Sequence, residues 1–135
     1  MMEFIWPVRV YYEDTDSGGV VYYANYLKFM ERARTEWLRQ LGFEQDELLE
    51  KEGILFAVRR VAVDYLRPAR FNDELLVSAS ISKQGRASLT FQQEIRMADG
   101  QTLCRGEVQV AALDAVRFRP VSLPVTILEL INDGH

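Results

Sequence analysis

The chain has 135 residues, 48% of them hydrophobic and 27% charged, with a formal net charge of −4. That length suits one domain with a real core, and the acidic balance speaks against a nucleic-acid or anionic-membrane partner, which would call for a basic surface. The one cysteine, Cys104, has no partner for an internal disulfide, which points to a reducing cytosol; no apolar run approaches the roughly 18 residues of a membrane span.

In chain order, the first ten residues, MMEFIWPVRV, lack a basic n-region and are interrupted by Pro7, so no secretory signal is expected. Residues 4–12 alternate, with Phe4, Trp6, Val8, Val10 and Tyr12 on one side, and predict a half-buried strand. Residues 25–41 change to helical spacing. Tyr26, Leu27, Met30, Ala33, Trp37, Leu38 and Leu41 form a broad apolar stripe, Gly42 suits the C-terminal cap, and a short helix is expected near 45–51. Residues 54–66 alternate but change phase, with Phe56 and Val58 on one face and Val61, Val63 and Tyr65 on the other. A bulge near Arg59-Arg60 would reconcile the two halves.

Residues 74–82, 87–97 and 103–113 alternate as well, separated by turn signals at Lys83-Gln84-Gly85 and Asp99-Gly100. Short connections of this kind predict an antiparallel meander. One early helix followed by such a meander is an α+β layout, in which the sheet must bury the helix's apolar face. The whole of 1–135 is expected to be a single domain.

Elimination narrows the chemistry. The one histidine is His135, the last residue, so neither a Ser-His-Asp nor a Cys-His mechanism has a base, and zinc sites built from His and Cys clusters are not expected. Neither G-x-x-x-x-G-K-[ST] nor G-x-G-x-x-G occurs. Any catalysis must then come from carboxylates, hydroxyls, cations and backbone dipoles, with no metal or cofactor called for.

The segment EDTDSGGVVYYANY (13–26) supplies such a set. Asp16 precedes Gly18-Gly19, where the chain can fold closely around a ligand. Tyr23 and Ala24 fall at the start of the main helix, whose first N–H groups have no internal partners and sit at the positive end of the dipole. A thioester or ester carbonyl aimed at those groups would be polarised, and the Asp16 carboxylate would attack it or activate a water. Asp-Ser-Gly-Gly is equally an ordinary turn sequence, in which Asp16 bonds only its own backbone. Asp14 reads best as a structural acceptor, and Cys104 as a small buried hydrophobe.

The run YYEDTDSGGVVYYANYLKFMERARTEWLR (11–39), continued by LFAVRRVAVDYLRPARFNDELL (55–76) and GRASLTFQQEI (85–95), resembles the hot-dog-fold acyl-CoA thioesterases of the 4-hydroxybenzoyl-CoA thioesterase-like superfamily. Within it the chain is most similar to the thioesterases associated with the Tol–Pal envelope system. The resemblance implies an antiparallel sheet wrapped around one long helix, sheets paired between two subunits, and active sites at the subunit interface. It assigns catalysis to the Asp16 carboxylate and the Tyr23 N–H, and it implies a homo-oligomer, dimer or tetramer.

Gly19, Val20, Tyr22 and Ala24 are then expected to line the substrate, and Lys83, Arg86 and Arg119 to suit the phosphates of CoA, although solvated surface charge is an equal reading of these cations. Many Tol–Pal-type relatives carry histidine where this chain has Tyr23. Its V-Y-Y-A-N-Y is closer to the W-Y-P-N-Y form of the 4-hydroxybenzoyl-CoA branch, with Ala24 in place of the proline, which leaves aliphatic and aromatic acyl groups both open. The expectation is a cytosolic acyl-CoA thioesterase, with acyl carrier protein as a second thioester donor. A non-catalytic acyl-binding module and a hot-dog dehydratase are the alternatives; the second normally needs a histidine.

Overall fold

The computed structural model describes residues 3–132; Met1, Met2 and residues 133–135 lie outside the described residues, and with them the expectation for His135. The elements run β1 (Phe4–Arg9), a single 3-10 turn (Tyr12–Asp14), α1 (Asn25–Gln40), α2 (Gln45–Glu52), β2 (Ile54–Tyr65), β3 (Glu74–Gln84), β4 (Ser88–Met97), β5 (Thr102–Asp114) and α3 (Val125–Asn132). The five strands form one sheet in the order β1-β3-β4-β5-β2, every neighbouring pair antiparallel.

Beta-branched and aromatic alternation makes the strands, and the face they bury decides where α1 lies. Leu75, Val77 and Ala79 of β3, Leu89, Phe91 and Ile95 of β4, and Cys104, Val108 and Ala112 of β5 are all buried on one face. Phe29, Met30, Ala33 and Trp37 of α1 are buried in the same cluster, with the Trp37 and Phe91 rings edge to face at 5.3 Å. Each of the larger of these side chains contributes roughly 1.5–3 kcal/mol on leaving water. α1 packs tightly over Gly106 of β5, where an added Cβ would meet Met30 Cε at 3.0 Å and Val63 Cγ2 at 3.3 Å.

A polar tie crosses this apolar layer. Gln93 Nε2 donates to the Met30 and Ser78 carbonyls at 3.0 and 3.2 Å, and its Oε1 accepts from Arg34 Nη1 at 2.9 Å. Buried amides of this kind must be paired or they cost stability, and here each side of Gln93 is. The opposite face of the sheet is ionic: Arg96 pairs with Glu3 and Glu94, Arg105 with Glu94, and Arg60 with Glu107.

The sequence expectations are met for α1, α2 and the positions of β2 to β5. The β2 bulge falls where the phase changes, with Val58 opposite Val110 and Arg60 opposite Gln109. Three points need correction. The first strand stops at Arg9, because the Asp14 carboxylate takes the Tyr11 N–H and curls residues 12–14 into a 3-10 turn; Tyr12 is left exposed, stacked on Phe71. The meander itself is formed, as expected, by β3, β4 and β5, and β2 pairs with β5 at the sheet's outer edge. In α1 the buried face is Phe29 and Arg34 together with Tyr26, Met30, Ala33, Trp37 and Leu38, while Leu27 is exposed. Lastly, sequence periodicity assigns nothing beyond 113, yet α3 forms after Pro124 and buries Ile127 and Ile131.

Candidate active site

Residues 14–22 fold into a miniature hairpin. The Asp16 N–H donates to the Val20 carbonyl at 2.9 Å, Thr15 bridges Val21, and the Tyr22 N–H donates to the Asp14 carbonyl at 2.9 Å. Its tip is Ser17-Gly18-Gly19, with Gly19 at φ +78°, a conformation that glycine adopts freely. The hairpin is bound on both sides. Val20 bridges Arg70 and the Val21 N–H donates to the Ala69 carbonyl, while Asn25 Nδ2 of α1 donates to the Asp14 carbonyl at 2.9 Å. Asp14 is thus a structural acceptor through both its carboxylate and its carbonyl.

Asp16 is exposed. One carboxylate oxygen, Oδ1, accepts the Gly18 N–H at 2.8 Å, the turn contact that the sequence allows; no described residue bonds the other. The bland and the catalytic readings therefore coexist: the turn fixes the carboxylate's direction and leaves one oxygen available.

The start of α1 is more specific than a generic helix end. Ala24 is the N-cap and offers no side-chain cap. The N–H groups of Asn25, Tyr26 and Leu27 donate to the carbonyls of Tyr22, Tyr23 and Ala24, so they are already used. Two donors remain. Among the described residues neither the Tyr23 nor the Ala24 N–H has an acceptor, and both stand where the helix dipole is positive. An oxyanion developing on a bound carbonyl would be held by that pair.

Aromatic rings surround this end of the helix. A shallow recess of about 220 Å³ is lined by Val21, Tyr23, Tyr26, Tyr65, Leu66 and the segment Arg67-Pro68. The Tyr65 ring lies 6.0 Å from Tyr23 and 5.6 Å from Tyr26. Tyr26 is buried and its hydroxyl accepts the Ala69 N–H at 2.9 Å, which clamps the 66–70 loop to the helix; burial holds this phenol above its ordinary pKa. Tyr22 is exposed beside Tyr23, its phenol also raised, chiefly by the neighbouring Tyr23 side chain. Neither Tyr22 nor Tyr26 is a base near neutral pH.

The structure thus brings together Asp16, Gly19, Val20, Tyr22, Tyr23 and Ala24. It does not bring Lys83 and Arg86 to the same place. β3 leads away from the hairpin for its full length, so the Gln84 end lies on the order of 30 Å from the Glu74 end. Arg86 there donates to Ser122. Sequence reasoning missed Asn25 and Tyr26 as the clamps of the site; Asn25, a polar residue opening an apolar stripe, was the available signal. Arg67 and Arg70 are exposed near the hairpin and have no ion-pair partner among the described residues. No group of three or more His, Cys, Asp or Glu among the described residues is placed to hold a metal ion, and no helix there is long and apolar enough to cross a membrane.

Comparison with known proteins identifies the fold and the family. The family model described as the thioesterase superfamily matches residues 18–104, which begin within the hairpin tip and include α1 and most of the sheet. The acyl-CoA thioesterase YbgC of Haemophilus influenzae is 46% identical over 121 residues, covering 90% of this chain and 88% of its own. The acyl-CoA thioester hydrolase YbgC of Escherichia coli is also 46% identical, covering 93% and 92%. Among solved structures, a 1,4-dihydroxy-2-naphthoyl-CoA thioesterase from Synechocystis superposes with a TM-score of 0.91 over 98% of both chains; at 24% identity this likeness is one of fold, the hot-dog arrangement of sheet and helix. The chain belongs to the thioesterase superfamily.

Proposed function

We infer that this protein hydrolyses acyl-CoA thioesters to the free acid and CoA. The observation that carries the reading is the pair of unused N–H groups on Tyr23 and Ala24, set at the start of α1 beside a carboxylate with one uncommitted oxygen. The thioester carbonyl oxygen sits on the two N–H groups. Asp16 either takes a proton from a water that attacks the carbonyl carbon, or attacks it directly to form an acyl anhydride that water then hydrolyses; in both cases the C–S bond breaks to release the CoA thiolate and the acid leaves with the water's oxygen. Gly19 and Val20 form the turn beside the substrate, and Tyr22 and Tyr23 supply apolar ring surface. The 46% identity to proteins named acyl-CoA thioesterases supports the same class of substrate.

The single 1–135 domain works as a homo-oligomer in this reading. β2 has a strand on one side only, and its open edge runs twelve residues, an invitation to pairing. Two copies related by a two-fold axis pair such edges antiparallel. That pairing would bring the Lys83–Arg86 turn of one copy toward the α1 start of the other, where the CoA phosphates need cations. A tetramer follows by association of two such dimers. Acyl carrier protein as an alternative thioester donor and a cytosolic location complete the proposal.

A panel of acyl-CoAs with free-thiol detection tests it. Thiol release is the expected result. Hydration or dehydration of the acyl chain, or saturable binding without turnover, would replace the reading with a dehydratase or a binding module. A fully active monomer in sedimentation at micromolar concentration would sink the shared assembly.

A further inference from the structure

The loop that follows β2 carries a cation that the mechanism above does not use. Residues 66–70, LRPAR, cross the start of α1 on a firmly held backbone. The Leu66 and Arg67 N–H groups donate to the Leu103 carbonyl at 2.9 and 3.0 Å. The Ala69 N–H donates to the Tyr26 hydroxyl at 2.9 Å, and the Ala69 carbonyl accepts the Val21 N–H at 2.8 Å. Pro68 fixes a further dihedral between these anchors. The point from which Arg67 projects is therefore set by the fold, and its side chain forms part of the wall of the recess shared with Tyr23, Tyr26 and Tyr65.

The charge there is uncompensated. Arg67 is exposed and makes no ion pair with any described residue. The Asp73 carboxylate, on the same loop, instead accepts the Arg70 N–H at 2.9 Å. A guanidinium stays charged throughout the working pH range and presents a fork of donors that matches a carboxylate. Elsewhere it would be ordinary surface charge, but here it shares a wall with Tyr23, which supplies one of the two free N–H donors. A thioester held on those donors directs a substituent into a recess that offers rings and a cation. The phosphates of CoA are not that substituent, because the long pantetheine arm keeps them away from the thioester carbonyl. An anion on the acyl side is.

We propose that Arg67 selects acyl groups that carry a second carboxylate, so that the substrate class is the CoA half-thioester of a short or aromatic dicarboxylic acid. The volume suits a short body: an apolar cavity of about 150 Å³ accommodates benzene, and this recess is about 220 Å³. The distal carboxylate meets the guanidinium fork while the thioester carbonyl lies on the Tyr23 and Ala24 N–H groups. Two fixed ends orient the acyl group between them. Arg67 is then a specificity-determining residue, and every group involved belongs to one copy of the chain. The inference rests on the thioesterase reading of the previous section.

The test compares kcat/KM for glutaryl-CoA with hexanoyl-CoA, and for terephthaloyl-CoA with para-toluoyl-CoA. The CoA moiety is common to both members of each pair, so its own contacts cancel in the ratio. The wild type should favour the acid of each pair by about tenfold. Arg67→Gln should bring both ratios close to one by lowering the acid far more than the neutral thioester. Arg67→Lys, which keeps the charge without the fork, should retain part of the preference. Added salt should shrink the wild-type ratios, since an exposed pair is screened. Arg70→Gln removes a charge from the same loop outside the recess and should leave the ratios in place. Equal or reversed wild-type ratios, ratios unmoved in Arg67→Gln, or the same loss in Arg70→Gln would overturn the proposal. Absence of thiol release from all of these thioesters would instead sink the thioesterase reading, and the proposal with it.

Discussion

The Asn25 side-chain amide donates to the Asp14 carbonyl at 2.9 Å, and that same carbonyl receives the Tyr22 N–H. One oxygen thereby fixes the angle between the hairpin that carries Asp16 and the helix end that carries the free donors. Asn25→Ala should leave the fold in place and lower kcat by about 10–100-fold, because small displacements of reacting groups are costly, with less effect on KM. Steady-state kinetics on the folded variant checks this. An unchanged kcat would mean that the clamp is not needed for the geometry.

Asp16 and Tyr23 are assigned different kinds of work, and substitution separates them. Asp16→Asn preserves an acceptor for the Gly18 N–H and so preserves the turn, but it removes the base or nucleophile, and kcat should drop about 10²–10⁴-fold. Tyr23→Phe removes only an exposed hydroxyl beside Tyr22 and should stay within roughly tenfold of wild type. Tyr23→Pro deletes one of the two free donors, and should cost about 10²–10³ in kcat if the helix start is retained, as proline in a first turn permits. A dead Tyr23→Phe protein, or a normal Asp16→Asn one, contradicts the mechanism.

Cys104 is fully buried on the helix-facing side of β5, and burial pushes its thiol up to about 12. It should resist iodoacetamide at pH 8 in the native protein and react once the chain unfolds, since the thiolate is the reactive form. Cys104→Ala should cost some stability and keep most turnover. Loss of all activity in a folded Cys104→Ala protein would argue for thiol chemistry.

Gly106 lies beneath Met30, with the Met30 Sδ 3.2 Å from where a Cβ would stand. Alanine is tolerable there because the methionine end can shift. Gly106→Val forces α1 away from the sheet and should lower unfolding free energy by about 1–3 kcal/mol, measured by denaturant titration. A neutral valine would show that the approach is looser than these distances imply.

Much of the fold was legible because the signals were periodic. The α1 stripe, the β2 phase change and the alternation of β3 to β5 are local patterns, and each maps onto an observed element. Strand order was not legible, since nothing local distinguishes β2 beside β3 from β2 beside β5. Arg34 and Gln93 were not read as core, because their burial depends on finding one another 59 residues apart. At the site, the types and spacing of Asp16 and Tyr23 were visible in the hairpin sequence. What the coordinates add is which N–H groups are spent: the three bonds from Asn25, Tyr26 and Leu27 leave Tyr23 and Ala24 as the donors.

The extra residue in β2 has a bearing on how such chains diverge. With Arg59 looped out, Phe56, Val58, Val61, Val63 and Tyr65 all align with helix-facing partners on β5. Loss of Arg59 would leave a regular strand with the same alternation, whereas one further residue inserted in the strand would invert one half of it, turning either the Phe56 or the Tyr65 end away from the helix. Point substitutions at 56 and 58, by contrast, alter one end and leave the tyrosines at the other undisturbed. Drift in this strand is therefore permissive by replacement and punishing by added length, so its helix-facing side chains change by exchange at constant spacing.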